Sequence, residues 1–338
     1  MTALHEALRR QGRMRTQRDT DSAPPTNGTA SPTEAAWNGR TRGGLVGNWI
    51  FITVVRLFGL RCAYALLIPV AFYFLFAAPK AVKASALWRQ RVGYWSRSRL
   101  RRLWDAYRHF FCFGQMLLDR LAIIGRQGRG FHFQFEGEEH LVAALSQKRG
   151  LVLVSAHIGN WEAASHIIFK HRVPVNIVAY EGERRRLRQL FDRAFQGRQF
   201  SVISADGGPD SSIAIMAALR RGEIVAMHGD RCLGPNGVYC QFLNAAVRLP
   251  TGPYIVAAIS GAPLIHAFAL REGTYRYRLL ACPPRQLSFA GHEDRGPLVQ
   301  QWTQDFATQL EQVVRAYPLQ WHNFYDFWAD AARKEGPP

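Results

Sequence analysis

The chain has 338 residues, 48% hydrophobic and 20% charged, the composition of a folded protein with room for one large domain or two small ones. Lysine and arginine total 43 against 25 aspartates and glutamates, a formal net charge of +18, so an anionic partner is expected: nucleic acid, an anionic lipid surface or an acidic protein. The five cysteines (Cys62, Cys112, Cys232, Cys240, Cys282) are scattered and odd in number, and no pair has zinc-knuckle spacing; a disulfide scaffold is not expected in a chain of this size, and reduced thiols in a cytosol-facing domain are the default.

Residues 1–44 mix Pro, Gly, Ser and Thr with many arginines and show no sustained apolar period; they read as a disordered basic tail without the layout of a signal peptide. Residues 45–80 read as a membrane anchor. The strongest part, Cys62 to Ala78, is slightly short for a span of roughly 20 residues. Extending it upstream takes in Arg56 and Arg61, and a charge at mid-bilayer costs about 3 kcal/mol. Either this segment spans with Arg61 snorkelling, or the region lies in the interface; a soluble core helix is the bland alternative. Residues 81–130 read as interfacial helices, with arginines among Trp, Tyr and Phe at helical spacings, cations outward and aromatics inward. The same pattern could mimic a nucleic-acid patch, but no nucleic-acid motif accompanies it.

From residue 131 to 330 the pattern alternates. FHFQFEG, GLVLVSA, VPVNIVAY, FSVIS, EIVAMHGD, APLIHAFALRE and YRYRLLACPP read as strands. HLVAALSQKRG, WEAASHIIFKH, ERRRLRQLFDRAFQG, DSSIAIMAALRRG, PTGPYIVAAISG and residues 296–316 read as helices. This predicts an α/β class: a central, mostly parallel sheet flanked by helices, preceded by an N-terminal membrane-associated helical segment. Residues 331–338 read as a flexible tail.

Chemistry concentrates where GLVLVSA ends. In open α/β sheets, reactive groups gather beyond the carboxyl ends of strands, and His157 stands there. Asn160 is a good helix cap, which places Glu162 in the first helical turn. The turn Ile158-Gly159 lets the two meet, so that Glu162 accepts a bond from one imidazole nitrogen and leaves the other basic. No Ser in a G-x-S-x-G elbow precedes them, which points to direct attack by an acceptor alcohol on an activated acyl group. A paired but merely structural histidine is the alternative.

His157-Ile-Gly-Asn-Trp-Glu162 after an apolar strand resembles the H-x4-E motif of the lysophospholipid acyltransferase superfamily, and its flavour resembles the bacterial lipid A late acyltransferase branch. The N-terminal apolar segment, Asp230-Arg231 after a strand, Thr251-Gly252-Pro253 opening a helix and the closing QWHNFYDFW carry the same resemblance, over about Val46 to Trp328. One departure is Tyr180-Glu181 where that branch often has Tyr-Arg; the arginines come at Arg184–Arg186 and Arg188.

The resemblance implies an O-acyltransferase of the bacterial inner membrane, its catalytic domain facing the cytoplasm. It implies His157 as general base on a glycolipid or phospholipid hydroxyl and Glu162 as its orienting anion. The donor would be an acyl thioester on acyl carrier protein or coenzyme A, with no other cofactor and no metal. Asn160 and the amides around Gly159–Trp161 are candidate oxyanion donors. Arg186, Arg188, Asp230, Arg231 and the helix start at Thr251 and Gly252 are candidate substrate contacts. Acidic acyl carrier protein and anionic lipid would account for the basic excess without nucleic acid. A binding protein that kept the fold and lost the chemistry is the competing reading.

Overall fold

The computed structural model describes residues 45–125, 128–161, 163, 171–180, 200–206, 208–232, 234, 236–291 and 293–329. The two expected tails, Glu162, Arg186, Arg188 and most of the two helices expected over WEAASHIIFKH and ERRRLRQLFDRAFQG lie outside the described residues. Among those described, eight helices and nine strands alternate in an α/β arrangement.

Seven strands form one sheet: β1 (His132–Glu136), β2 (Leu151–Ser155), β3 (Val175–Ala179), β4 (Phe200–Ser204), β5 (Ile224–His228), β8 (Leu264–Gly273) and β9 (Arg276–Ala281). Their order is β1-β9-β8-β2-β5-β3-β4, and every pairing is parallel except β8 with β9. All five residues of β2 and all five of β3 are buried, as apolar runs covered on both faces should be. Period-two alternation splits β2 between two cores. Val152 and Val154 join α6 (Gly208–Arg220), α7 (Gly252–Ser260) and α8 (Arg295–Ala316) through Leu219, Tyr254, Phe306 and Leu310. Leu151 and Leu153 face α5 (Glu138–Ser146) through Leu141 and Ala144.

A two-stranded hairpin, β6 (Gly237–Phe242) and β7 (Ala245–Pro250), stands apart from the sheet. The sequence reading assigned no element to this stretch. Its turn residues Leu243 and Asn244 both take positive φ, +52° and +60°, in the two-residue hairpin geometry that Asn-Gly usually signals. A leucine can hold that conformation here because its side chain is fully buried and Glu311 of α8 accepts its N–H at 2.6 Å.

The N-terminal region is helical: α1 (Leu45–Leu57), α2 (Gly59–Ala77), α3 (Pro79–Arg91) and α4 (Arg99–Gly125). Leu60, Ala63, Tyr64, Leu67 and Ala71, at helical spacing, pack the inner face of α2. Its neighbour α4 contributes Leu118, Ala122 and Ile123, and the sheet contributes Tyr277. Under this layer lies Asp119, fully buried. Its carboxylate accepts bonds from Tyr64, from Arg271 Nε at 3.0 Å and from Tyr277 at 2.5 Å. Burial pulls this carboxyl upward, against the guanidinium and the two phenols. The expected division of cations outward and aromatics inward holds only in part. Arg89 is buried, donating to Ser85, whereas Trp95 and Trp104 are exposed.

The loop after β2 is fixed by its backbone. Gly159 has φ +62°, its N–H donates to Gln320 O at 2.9 Å, and Asn160 N–H donates to Ala269 O at 2.8 Å. A Cβ on Gly159 would lie 1.9 Å from Ala269 O, so no other residue fits without moving β8.

Three outcomes are expected. Gly159→Ala lowers unfolding free energy by more than about 2 kcal/mol in denaturant titrations of the detergent-purified chain. Asp119→Ala, which strands the Arg271 guanidinium, costs about 3–5 kcal/mol in the same assay. Burial pushes the imidazoles of His109 and His266 down to about 3 and about 4. Both folded values lie below the unfolded value of about 6.5, so their stability contribution is complete above about pH 6.5 and is lost as pH falls toward the folded values. At pH 5 each costs at most about 2 kcal/mol relative to pH 7, and replacing either with glutamine flattens that slope.

Candidate active site

Register brings the reactive groups together. β2 and β5 are parallel neighbours in step, with Ser155 opposite His228. Gly229 N–H donates to Ser155 O at 2.8 Å and continues the ladder one residue further. His157 and Asp230 each lie two residues beyond that last pair, so they emerge side by side. Asp230 Oδ2 accepts the backbone N–H of His157 at 3.0 Å, and Asp230 Oδ1 lies 2.8 Å from His157 Nδ1.

The pair is electrostatically unequal. Asp230 is 1% exposed, while the His157 side chain retains 18%. Burial alone would raise the Asp230 carboxyl. The attraction and hydrogen bond of His157, with Arg231 and His228 nearby, outweigh it and hold the group well below the usual carboxylate range. An ionised carboxylate can only accept, so Nδ1 carries the proton and Nε2 keeps its lone pair. Asp230, expected at the substrate beside Arg231, is instead buried against the imidazole. Glu162, expected as the anion on that ring, lies outside the described residues.

His228, to which the sequence reading gave no role, stacks on His157 with ring centroids 4.2 Å apart and planes 27° apart. Trp161 meets its ring edge-on at 5.4 Å. Ligand atoms of His157, His228 and Asp230 lie within 4.8 Å of one another, close enough for a cation. Stacked imidazoles, however, point their in-plane lone pairs side by side rather than toward one point, so holding a cation between both would require one ring to turn.

The C-terminal signature supplies the back wall. His322 N–H donates to His157 O at 3.0 Å, and Gln320 O accepts from Gly159. The Gln320 side chain exchanges two bonds with the Arg271 backbone, at 2.8 and 2.7 Å. Trp321 is fully buried, and its carbonyl accepts from His109 Nε2 at 3.0 Å. Burial, with His109, His157 and Arg231 as neighbours, pushes the His322 imidazole well below its ordinary value, so it stays neutral behind the site.

The remaining sequence candidates divide. Asn160 is fully buried, its amide directed at Met116 O and the Tyr277 hydroxyl at 3.5 and 3.4 Å, so it braces the loop and does not face solvent. The amides of Gly159 and Asn160 are spent on Gln320 and Ala269 and are not free to bind an oxyanion. The Arg231 guanidinium lies 5.4 Å from the centroid of the Tyr325 ring and adjoins the His157–Asp230 pair through its own backbone. Thr251 is buried, with its hydroxyl and N–H turned to Asn236 O at 3.4 and 3.3 Å, which argues against a role at the substrate. A Cβ on Gly252 would come 3.8 Å from Met227, one residue before His228, so this helix start borders the end of β5.

Comparison with known proteins adds the family. Phosphatidylinositol mannoside acyltransferase of Mycobacterium tuberculosis is 28% identical over 200 residues, 57% of this chain and 58% of the relative. Its counterpart in Mycolicibacterium smegmatis is 28% identical over 194 residues, 56% of this chain and 60% of the relative. The match thus spans less than two thirds of the length of these curated relatives. The sequence profile of the bacterial lipid A biosynthesis acyltransferases matches residues 50–329. The chain belongs to the bacterial lipid A biosynthesis acyltransferase family.

Proposed function

We propose that this chain moves a fatty acyl group from a thioester, on acyl carrier protein or coenzyme A, to a hydroxyl of a membrane glycolipid or phospholipid at the cytoplasmic face of the inner membrane. The observation that carries this is the bond between His157 Nδ1 and Asp230 Oδ1. It fixes the tautomer that leaves Nε2 as the base. Nε2 takes the proton of the acceptor hydroxyl as its oxygen attacks the thioester carbonyl. Asp230, already ionised, stabilises the imidazolium that forms. The tetrahedral intermediate collapses by breaking the C–S bond, and the imidazolium returns its proton to the departing thiolate. The thioester is already activated, so no covalent enzyme stage is needed.

Glu162, the last residue of the H-x4-E motif, is proposed as a second anion beside the imidazole. Arg231, with Arg186 and Arg188, is proposed to bind phosphate or sugar oxygens of the acceptor. The name of the mycobacterial relatives, phosphatidylinositol mannoside acyltransferase, favours a glycosylated phospholipid as that acceptor.

The test is thiol release and acylated lipid formation by purified chain given acyl-coenzyme A or acyl-carrier protein and a lipid extract. Asp230→Asn keeps the shape but offers an amide donor to Nδ1, so turnover should fall by about three to four orders of magnitude with the Michaelis constant little changed. His157→Ala should lose at least as much, at wild-type melting temperature. A His157→Ala chain as active as wild type would overturn the base assignment.

A further inference from the structure

Helix α2 is the one described segment long and apolar enough to cross a membrane. Its neighbours show which way it runs. Along its length it lies antiparallel against α4: Tyr64 meets Asp119, Leu67 meets Gly114, and Phe74 stacks on Phe110 at 6.3 Å. The approach at Gly114 is so close that a Cβ there would sit 2.5 Å from Leu67. Helix α4 is in turn bound to the α/β domain near both ends of α2. At one end Asp119 bonds Arg271 of β8 and Tyr277 of β9. At the other, His109 donates to Trp321 O, and Phe110 stacks on Phe324 at 5.0 Å.

A 19-residue helix is about 28 Å long, close to the roughly 30 Å of a hydrocarbon core. Standing α2 across a bilayer would therefore carry α4 and this flank of the domain into the hydrocarbon with it. The side chain of Arg108, 42% exposed and level with the last turn of α2, would enter too.

The outer face of α2 nonetheless demands an apolar neighbour. Phe58 just before it and Ile68, Phe72, Tyr73 and Phe76 within it are exposed, and Trp49 on α1 adds to them. The charge around this face has one sign. Residues 45–104 contain no aspartate or glutamate, while Arg61, Lys80, Lys83, Arg97, Arg99 and Arg101 are exposed. That combination matches an anionic lipid surface.

We infer that α1 and α2 lie along a single leaflet of an anionic bilayer, outer face inserted and basic rim at the headgroups, and that α2 does not cross. This rests on the reading of the chain as a membrane enzyme, but its readout is independent of acyl transfer.

The experiment uses the full chain with its five cysteines replaced by alanine and one new cysteine introduced, by Arg61→Cys or by Lys80→Cys. Each is expressed in bacterial cells and treated with a membrane-impermeant maleimide. Both should be protected in intact spheroplasts and both labelled in inside-out vesicles. Opposite labelling of the two positions would overturn the inference, as would recovery of the chain in the soluble fraction. In a second arm, purified wild-type chain should float with phosphatidylcholine–phosphatidylglycerol vesicles at least about tenfold better than with phosphatidylcholine alone. Phe72→Glu with Phe76→Glu should abolish flotation without lowering the melting temperature in detergent, because both side chains are exposed. Flotation that survives this double substitution would count against the inserted face. An inactive chain that labels as expected leaves this inference standing and sinks only the proposed chemistry; an active chain labelled on opposite sides does the reverse.

Discussion

Two parallel strands in step are the constraint on which this molecule depends. Because β2 and β5 pair with Ser155 opposite His228, each strand delivers its second following residue to the same place. His157 and Asp230 need no long side chain or special rotamer to meet; the ladder meets for them. The left-handed turn at Gly159 then stops the chain from continuing as a strand, and the carbonyls of Ala269 and Gln320 fix it there. The loop that carries the imidazole is therefore held by backbone bonds to β8 and to the C-terminal segment, the least compliant part of a fold.

That rigidity has an electrostatic counterpart. A carboxylate with almost no solvent access is tolerable only where cations and donors replace water, and His157, Arg231 and His228 surround Asp230 in that way. The histidines behind it, His322 and His109, are kept neutral by burial, so they brace the site without adding charge to it. His228 completes the wall by stacking on the His157 ring.

The same logic runs outward to the helical layer. Asp119 ties α2 and α4 to β8 and β9, and Arg271, one of its partners, also has its backbone held by Gln320. A continuous set of buried bonds thus joins the apolar helices to the loop that carries His157. The layer and the site cannot be repositioned independently.

Much of this was legible in the chain itself. Apolar runs such as LVLVS and VNIVA can be satisfied only by a sheet covered on both faces, so the α/β class and the seven strands of the main sheet followed from periodicity. His157 at a strand end, before a Gly that permits a sharp turn, marked the site. The hairpin β6–β7 was not legible, because Leu243 is no turn residue and its positive φ is held by a contact with α8, far along the chain. The bond between His157 and Asp230 could not be read, because only the neighbour order β2–β5 brings residues so far apart in the chain into bonding range. Of the expected oxyanion donors, the N–H groups of Gly159 and Asn160 are taken by Gln320 and Ala269, partners that no local pattern reveals. Local patterns determine which elements form, since burial and backbone geometry act over a few residues. Which carboxylate serves which imidazole is decided by strand order and register, and these are properties of the whole sheet.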